Sequence, residues 1–296
     1  MKLLIIGKLK GRLFDTINSH EDIEALYIPN AGDITVEFPF EGDFFYNGER
    51  VQLSSFDAVV SLSMNSTGKT VSVFKTLCEK LGIAFIGSPI ERSRLNNKTL
   101  CAVDLWSAGL PIAKTVWSFG FPDKDAVMSL GDMVVEKSPE GANGFDVSLL
   151  NLKNSEIDIK KSFLYQEYIE IGATDERWII VGGKIASAMR RTAVNEGEFR
   201  SNLMQGGKGT KIPITEDMQE LAKKIYDIYP NSVYFGADIF RVHDNESPNG
   251  YRFIVNELNN VPGEKIIGVT KYNHDEDIYK HIKELANKFY KEKRRD

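Results

Sequence analysis

At 296 residues, with a formal charge of −5, 42% hydrophobic and 27% charged residues, the chain has enough apolar material for a folded protein of more than one lobe. This balance excludes a disordered chain. No apolar run approaches the roughly 20 residues of a membrane-spanning helix, and the negative charge gives no general attraction to nucleic acid or anionic membranes, so a soluble protein without either partner is predicted.

The opening MKLLIIGKLKG carries an apolar run, Leu3 to Ile6, that is too short for a secretory signal core and is followed by more lysine; it reads as a first buried strand. LLII, FDAVVSL, a helix carrying Val71, Phe74, Leu77, Cys78 and Leu81, and the strand IAFIG make residues 1–90 an open α/β unit. Within it, SMNSTGKT resembles the end of a phosphate-binding P-loop but has Ser63 where the motif needs glycine. Cys78 and Cys101 show no metal spacing, and Cys78 lies on the apolar face of its helix; core packing in a reducing cytoplasm is predicted. A helix from Asn96 reads through Lys98, Leu100, Val103, Leu105 and Trp106 and stops at Gly109-Leu-Pro111. A strand, a helix, the strand MVVEK, the glycine-containing loop SPEGANGF and the run FLYQEYI complete a second, small lobe over 91–165. RWIIVGGKIASAMRR then reads as a hairpin turning at Gly182-Gly183, and GGKG at 206–209 as a flexible loop. PITEDMQELAKKIYDIYP reads as an amphipathic helix, VYFGADIFRV with YRFIVNEL as a second hairpin, and 275–293 as a terminal helix with a basic end. Residues 166–296 form the third and largest lobe in this division.

Side chains alternate along a strand, so Glu257 and Asn259 project to one side; if the last two strands pair, Asp238 joins them as a third oxygen ligand. Such a set suits magnesium, which keeps several waters and bridges carboxylates to phosphates. Acids at exposed strand ends are common, and alternation alone leaves both readings open. In VVEKSPEGANGFDV, Lys137 closes a strand before a loop with Gly141 and Gly144, where backbone amides and a lysine charge can approach phosphate, although a plain hairpin turn looks similar. Lys98 could serve the same phosphates or be a solvated lysine in a first helical turn. RRTAVNEGEFRSN gathers Arg190, Arg191, Arg200 and Asn202, which suit an oxyanion or a substrate carboxylate. His20, His243, His274 and His281 are scattered and suggest no nucleophile–base pair.

Taken in order, NNKTLCAVDLWSAGLPIAKT, VVEKSPEGANGFDV, QEYI, DERWIIVGGKIASAMRR, EFRSNLMQGG, GADIF and VNELNNVPG resemble an ATP-grasp ligase of the RimK type over about residues 90–268. The resemblance implies an α/β ATP-grasp fold with an N-terminal open α/β lobe, a small central lobe and a larger C-terminal lobe, and ATP between the last two. It implies that Lys98 and Lys137 hold ATP phosphates under the loop of Gly141 and Gly144, that Gln166, Glu167, Tyr168 and Ile169 form the adenine hinge, and that Asp238, Glu257 and Asn259 bind magnesium, or manganese in its place. Arg191, Arg200 and Asn202 are then the catalytic set, with the choice between Arg190 and Arg191 left open by different spacing before EFRSN. Asp146 stands where the family loop has glycine and is expected to point outward.

The reaction implied is phosphorylation of a substrate carboxylate by ATP and attack of an amine on the acyl-phosphate, giving an amide, ADP and phosphate. The expected partners are an amino acid and a carboxylate-bearing peptide, protein or metabolite; self-association stays open. A phosphotransferase, needing no amine, and a nucleotide-binding regulatory module, lacking turnover, are the alternatives.

Overall fold

The computed structural model describes residues 1–7, 11–62, 68–140, 146–153, 158–194, 201, 206–260, 262–263 and 265–293, and the elements below are those among them. They cluster into two compact units, Met1–Ser93 with Tyr229–Tyr234 and Asn273–Asp296, and Arg94–Ile228 with Phe235–Tyr272.

The first unit begins with β1 (Lys2–Ile6), α1 (Gly11–Asn18) and β2 (Glu24–Ile28), followed by β3 (Ile34–Val36), β4 (Asp43–Tyr46) and β5 (Glu49–Gln52). β6 (Ala58–Ser61), α2 (Gly68–Leu81), β7 (Ala84–Ile86) and α3 (Pro89–Asn96) complete the run, α3 reaching across the boundary at 93/94. β1, β2, β6 and β7 form a parallel sheet in the order β2-β1-β6-β7. Leu3 to Ile6 and all of β6 are buried, as expected of parallel strands covered on both faces. β3, β4 and β5 make a small antiparallel sheet, with β4 and β5 closed by Asn47-Gly48, both at positive φ, the turn that suits strand twist. Val71, Phe74, Leu77 and Cys78 of α2 enter the core, and burial pushes the Cys78 thiol up to about 12, which suits an unreactive packing residue. Leu81, expected on that face, is 37% exposed because it closes the helix's last turn. The terminal helix, Asp275–Lys293, packs in this unit: Arg12 Nε donates to Asp275 Oδ2 at 2.5 Å and His20 stacks on Tyr279.

The second unit holds α4 (Lys98–Ser107), β8 (Thr115–Trp117), α5 (Lys124–Met128), β9 (Met133–Lys137), β10 (Val147–Asn151) and β11 (Leu164–Glu167). The four strands form one sheet in the order β10-β9-β11-β8. A second sheet, β14-β13-β12-β15-β16, is built from β12 (Thr174–Val181), β13 (Lys184–Thr192), β14 (Lys208–Lys211), β15 (Tyr234–His243) and β16 (Tyr251–Asn259), with α6 (Glu216–Ile228) and α7 (Lys265–Thr270). The β12–β13 turn is Gly182-Gly183, both at positive φ. One expectation is corrected here. Lys208 and Gly209, read as part of a flexible loop, pair with β13 as strand β14. On α4 the core residues are Cys101 and Leu105, whereas Leu100, Val103 and Trp106 face outward, Trp106 at 70% exposure. Those three repeat at i, i+3 and i+6, the spacing of an amphipathic face, which periodicity alone cannot assign to core or surface. No helix among the described residues is long and apolar enough to cross a membrane.

Candidate active site

β15 and β16 pair antiparallel with Asp238 opposite Glu257 and Gly236 opposite Asn259, so the last hairpin gathers the three oxygen-bearing residues expected from alternation. The register slips between Asp238 and Ile239: Asp238 faces Glu257, but Ile239 faces Val255, leaving Asn256 as the extra residue of a bulge. Strict alternation would send Asn256 to the side opposite Glu257. Across the bulge both line one pocket, together with Lys98, Lys137 and Gln166, over an apolar wall that includes Cys101 and Leu105. The outer edge of β16 is fixed by Val255 N–H donating to Pro111 O at 2.7 Å, so the α4 stop sequence also holds this strand.

Lys137 ends β9 with 8% exposure. Its Nζ donates to Gln166 Oε1 at 2.7 Å and to Asn256 Oδ1 at 2.8 Å, both neutral acceptors. Burial brings its pKa down to about 8, and the nearby Lys98 adds to the effect, while Glu257 and Asp238 oppose it. Lys98 opens α4 behind the Asn97 cap, whose Oδ1 accepts from Leu100 N–H at 3.0 Å; the Lys98 amide donates to Pro139 O at 2.9 Å, tying the helix start to the segment after β9. Gln166 also donates from Nε2 to Thr115 Oγ1 at 3.1 Å. Next along the hinge, the Glu167 carboxylate accepts from Lys114 N–H at 2.8 Å, Tyr168 N–H donates to Met133 O at 3.3 Å, and Ile169 is half-buried.

Asp238 is 6% exposed and is gripped by two arginines. Arg177 Nη2 donates to Oδ2 at 2.7 Å while its Nε reaches Oδ1, and Arg191 Nη2 lies 3.0 Å from Oδ1. Burial disfavours the Asp238 carboxylate, but the two guanidinium groups outweigh it and hold its pKa below the usual range. Arg191 is also bidentate to Asp175, with Nε to Oδ1 at 2.7 Å, and is kept firmly protonated: burial opposes the charge and the two acids overcome it. Gly236 makes room for this cluster, since a Cβ there would lie 2.9 Å from Pro262 Cβ and 3.4 Å from Arg177 Cδ. Arg190 goes to the other face of the sheet, where it meets Glu176 at 3.1 Å beside Arg241 and Trp178. The geometry therefore puts Arg191, and not Arg190, beside Asp238.

The donor set fits a hard cation: two carboxylates, Asp238 and Glu257, and the Asn259 side-chain amide, with water and phosphate left to complete the shell. Asn259 Nδ2 is 3.4 Å from Asp238 Oδ2, and Glu257 makes no side-chain hydrogen bond or ion pair with a described residue, so its carboxylate is available. Asp146 is exposed, as expected. Gly141, Gly144, Arg200 and Asn202 lie outside the described residues. Three contributors escaped the sequence reading: Arg177 and Asp175, which alternation on β12 aligns with each other, and Asn256, whose polarity within IVNEL was the available signal.

A model of the RimK-like ATP-grasp domain matches residues 96–282. A protein from Picosynechococcus sp. called "Probable alpha-L-glutamate ligase" is 31% identical over 270 residues, covering 85% of this chain and 84% of its own. One of the same name from Marinomonas sp. is 32% identical over 257 residues, covering 81% and 80%. Among solved structures, the Chryseobacterium gregarium RiPP-associated ATP-grasp ligase, in complex with ADP and a leader and core peptide, aligns over 97% of both chains with a TM-score of 0.69 at 15% identity. The ATP-grasp ligase PsnB complexed with minimal precursor aligns over 96% of this chain and 98% of its own, with a TM-score of 0.67 at 18% identity. At such identities these two speak for the fold alone.

Proposed function

The chain belongs to the RimK-like ATP-grasp family and is an ATP-dependent ligase joining a carboxylate to an amine, and from that premise we propose that it attaches an amino acid, glutamate the first to test, to a carboxylate of a peptide, protein or small metabolite. The glutamate assignment takes its support from the names of the relatives, and the peptide alternative from the peptide-bound structural neighbours. One observation carries the site assignment: Lys137 stands in one pocket with Asn256 and Glu257, while Asp238, Arg177 and Arg191 converge from the strands beside it. That is the combination needed to hold phosphates, a hard cation and a developing oxyanion.

In this reading the chain works as three functional parts, 1–90 on the substrate side, 91–165 as the central lobe and 166–296 as the lobe with the metal ligands. ATP binds between the last two, and with magnesium supplies the phosphoryl group that activates the carboxylate. Lys98 and Lys137 bind its phosphates beneath the loop of Gly141 and Gly144, and the backbone of the stretch Gln166, Glu167, Tyr168 and Ile169 takes adenine. Asp238, Glu257 and Asn259 hold the cation, which manganese could replace. Arg191 faces the oxyanion, oriented by Asp175, and Arg200 with Asn202 completes the set. No side-chain nucleophile is required; holding carboxylate, phosphate and amine in line contributes up to roughly 7–11 kcal/mol.

The test is ADP release from magnesium and ATP against pairs of amino acids and acidic peptides, with mass spectrometry of the products. Ligation requires that ADP appear at full rate only when both partners are present and that the product gain one amide. Full-rate ADP release with a single acceptor, giving a phosphorylated product, would instead establish a phosphotransferase.

A further inference from the structure

In the first unit an arginine is buried without an acid beside it among the described residues. Arg92, on α3, is 4% exposed, and of the five N–H donors of its guanidinium only Nη1 has a side-chain partner among the described residues, Ser61 Oγ at 3.4 Å. Its neighbour Glu91 is turned elsewhere, accepting from Asn231 Nδ2 at 2.8 Å and Ser232 Oγ at 3.0 Å. The sequences that follow β1 and β6, residues 8–10 and 63–67, contain no acid. Burial lowers the pKa of Arg92 to about 10, with Tyr234 opposing, so the group stays charged at neutral pH. Buried charges in folded proteins are normally paired, because an unpaired one keeps its desolvation cost without compensation.

The position of Arg92 points to what would pair it. Ser61 is the last residue of β6, and the strand order β2-β1-β6-β7 means that the chain builds outward from β1 first on one side and then on the other. The carboxyl ends of β1 and β6 are therefore a topological switch point, where open α/β sheets bind ligands. Gly87, just past β7 at φ +92°, brings the backbone against this edge: a Cβ there would lie 2.3 Å from Ser61 O. The chain then enters α3 and places Arg92 over the strand ends, next to a serine hydroxyl whose own hydrogen is left to donate.

We propose that Arg92 and Ser61 form an anion subsite in the first unit that takes a carboxylate of a substrate, either a free amino acid or an acidic peptide. The identity of that ligand rests on the ligase reading; the subsite itself rests on the uncompensated guanidinium. Bidentate pairing of guanidinium with carboxylate is the geometry for which arginine is suited and lysine is not.

The test is calorimetric titration and thermal unfolding of the full chain, without nucleotide, using L-glutamate, L-glutamine and a capped tri-glutamate peptide as probes, on wild type, Arg92→Met and Arg92→Lys. The expected result is that glutamate or the peptide binds wild type and raises its melting temperature. Arg92→Met should weaken that binding at least tenfold, with Arg92→Lys in between, while leaving the melting temperature without ligand unchanged or higher. Binding of glutamate identifies the free amino acid as the source, and binding of the peptide alone identifies a peptide carboxylate. The proposal is overturned if no carboxylate probe binds wild type, if Arg92→Met binds as wild type does, or if Arg92→Met unfolds or melts several degrees lower, since that would reveal a structural role. ATP with magnesium is titrated into the same proteins: a wild type that fails to bind it speaks against the ligase reading, whereas the carboxylate titrations judge Arg92.

Discussion

Replacing Lys137 with methionine separates the cost of burying the ammonium from its use. Its fall from 10.5 to about 8 corresponds to about 3 kcal/mol of penalty on the charged form in the nucleotide-free chain. Methionine removes that penalty but strands Gln166 Oε1 in a buried position at a cost of about 1–3 kcal/mol, while Asn256, half-exposed, can turn to water. Lys137→Met should therefore be between about 0 and 2 kcal/mol more stable than wild type in urea at pH 7. On the proposed assignment its affinity for ATP with magnesium should fall by about 2–5 kcal/mol, at least thirtyfold, because a buried charged partner of the phosphates would be lost. The pH dependence has a fixed sign. Below about pH 8 the lysine is protonated in folded and unfolded chains alike and the penalty is complete. Between about 8 and 10.5 the folded chain gives up a proton that the unfolded chain keeps, so stability rises with pH in that window, and this rise should vanish from the difference between wild type and Lys137→Met. A variant that loses 3 kcal/mol or more without nucleotide, or that binds ATP as wild type does, would refute this reasoning.

Glu257→Gln should lower ADP release at least a hundredfold and raise the magnesium concentration needed for half-maximal rate; amide formation at the normal rate would sink the metal assignment. Arg191→Met leaves buried Asp175 without its bidentate partner and should cost about 3–5 kcal/mol in urea unfolding, whereas Arg190→Met, with Glu176 still held by Arg241 and Trp178, should cost about 1 kcal/mol or less. Equal losses would contradict the separation of the two arginines across the sheet. Gly236→Ala drives a Cβ against Pro262 and should cost about 1–3 kcal/mol, read as a lower melting temperature; an unchanged one would mean that the strand has slack at this point.

The elements were legible where periodicity and turn chemistry agreed. Gly182-Gly183 marked the first hairpin, and 275–293 emerged as a single helix, because each signal is local. Glu257 and Asn259 were legible for the same reason, since two residues of spacing on a strand put them on one side. Asn256 was not, because a bulge depends on the partner strand and on the Pro111 carbonyl that holds Val255, and neither is local. Arg177 illustrates a second limit: β12 offers Asp175, Glu176 and Arg177 in succession, and only the neighbouring strands decide which charges pair with Asp238 and which with Arg241. Arg92 illustrates a third, because an arginine in the polar stretch IERSR reads as solvated until the packing of the strand ends is known.

If the proposed site is right, the pairing of Asp238 explains how a chain of charge −5 can present a site for a polyanion. Without nucleotide, Lys98, Lys137, Arg177 and Arg191 stand against Asp175, Asp238 and Glu257, so the neighbourhood is nearly balanced, with one cation in excess. Long-range attraction is therefore weak, and recognition must come from the geometry of desolvated groups. Toward a divalent cation arriving alone, Asp238 is already neutralised by Arg177 and Arg191, and Glu257 is the one uncommitted carboxylate of this set among the described residues. Toward phosphate arriving alone, Glu257 is repulsive. On the proposed reading, only the two together let Arg177 exchange its bidentate hold on Asp238, or Arg191 its single contact with Oδ1, for phosphate or oxyanion oxygens without leaving a buried charge unpaired at either step. On the proposed reading the ion pairs around Asp238 are a holding arrangement: they would keep the guanidinium groups desolvated and aimed before substrate arrives, and that preorganisation is what electrostatic stabilisation of an oxyanion requires.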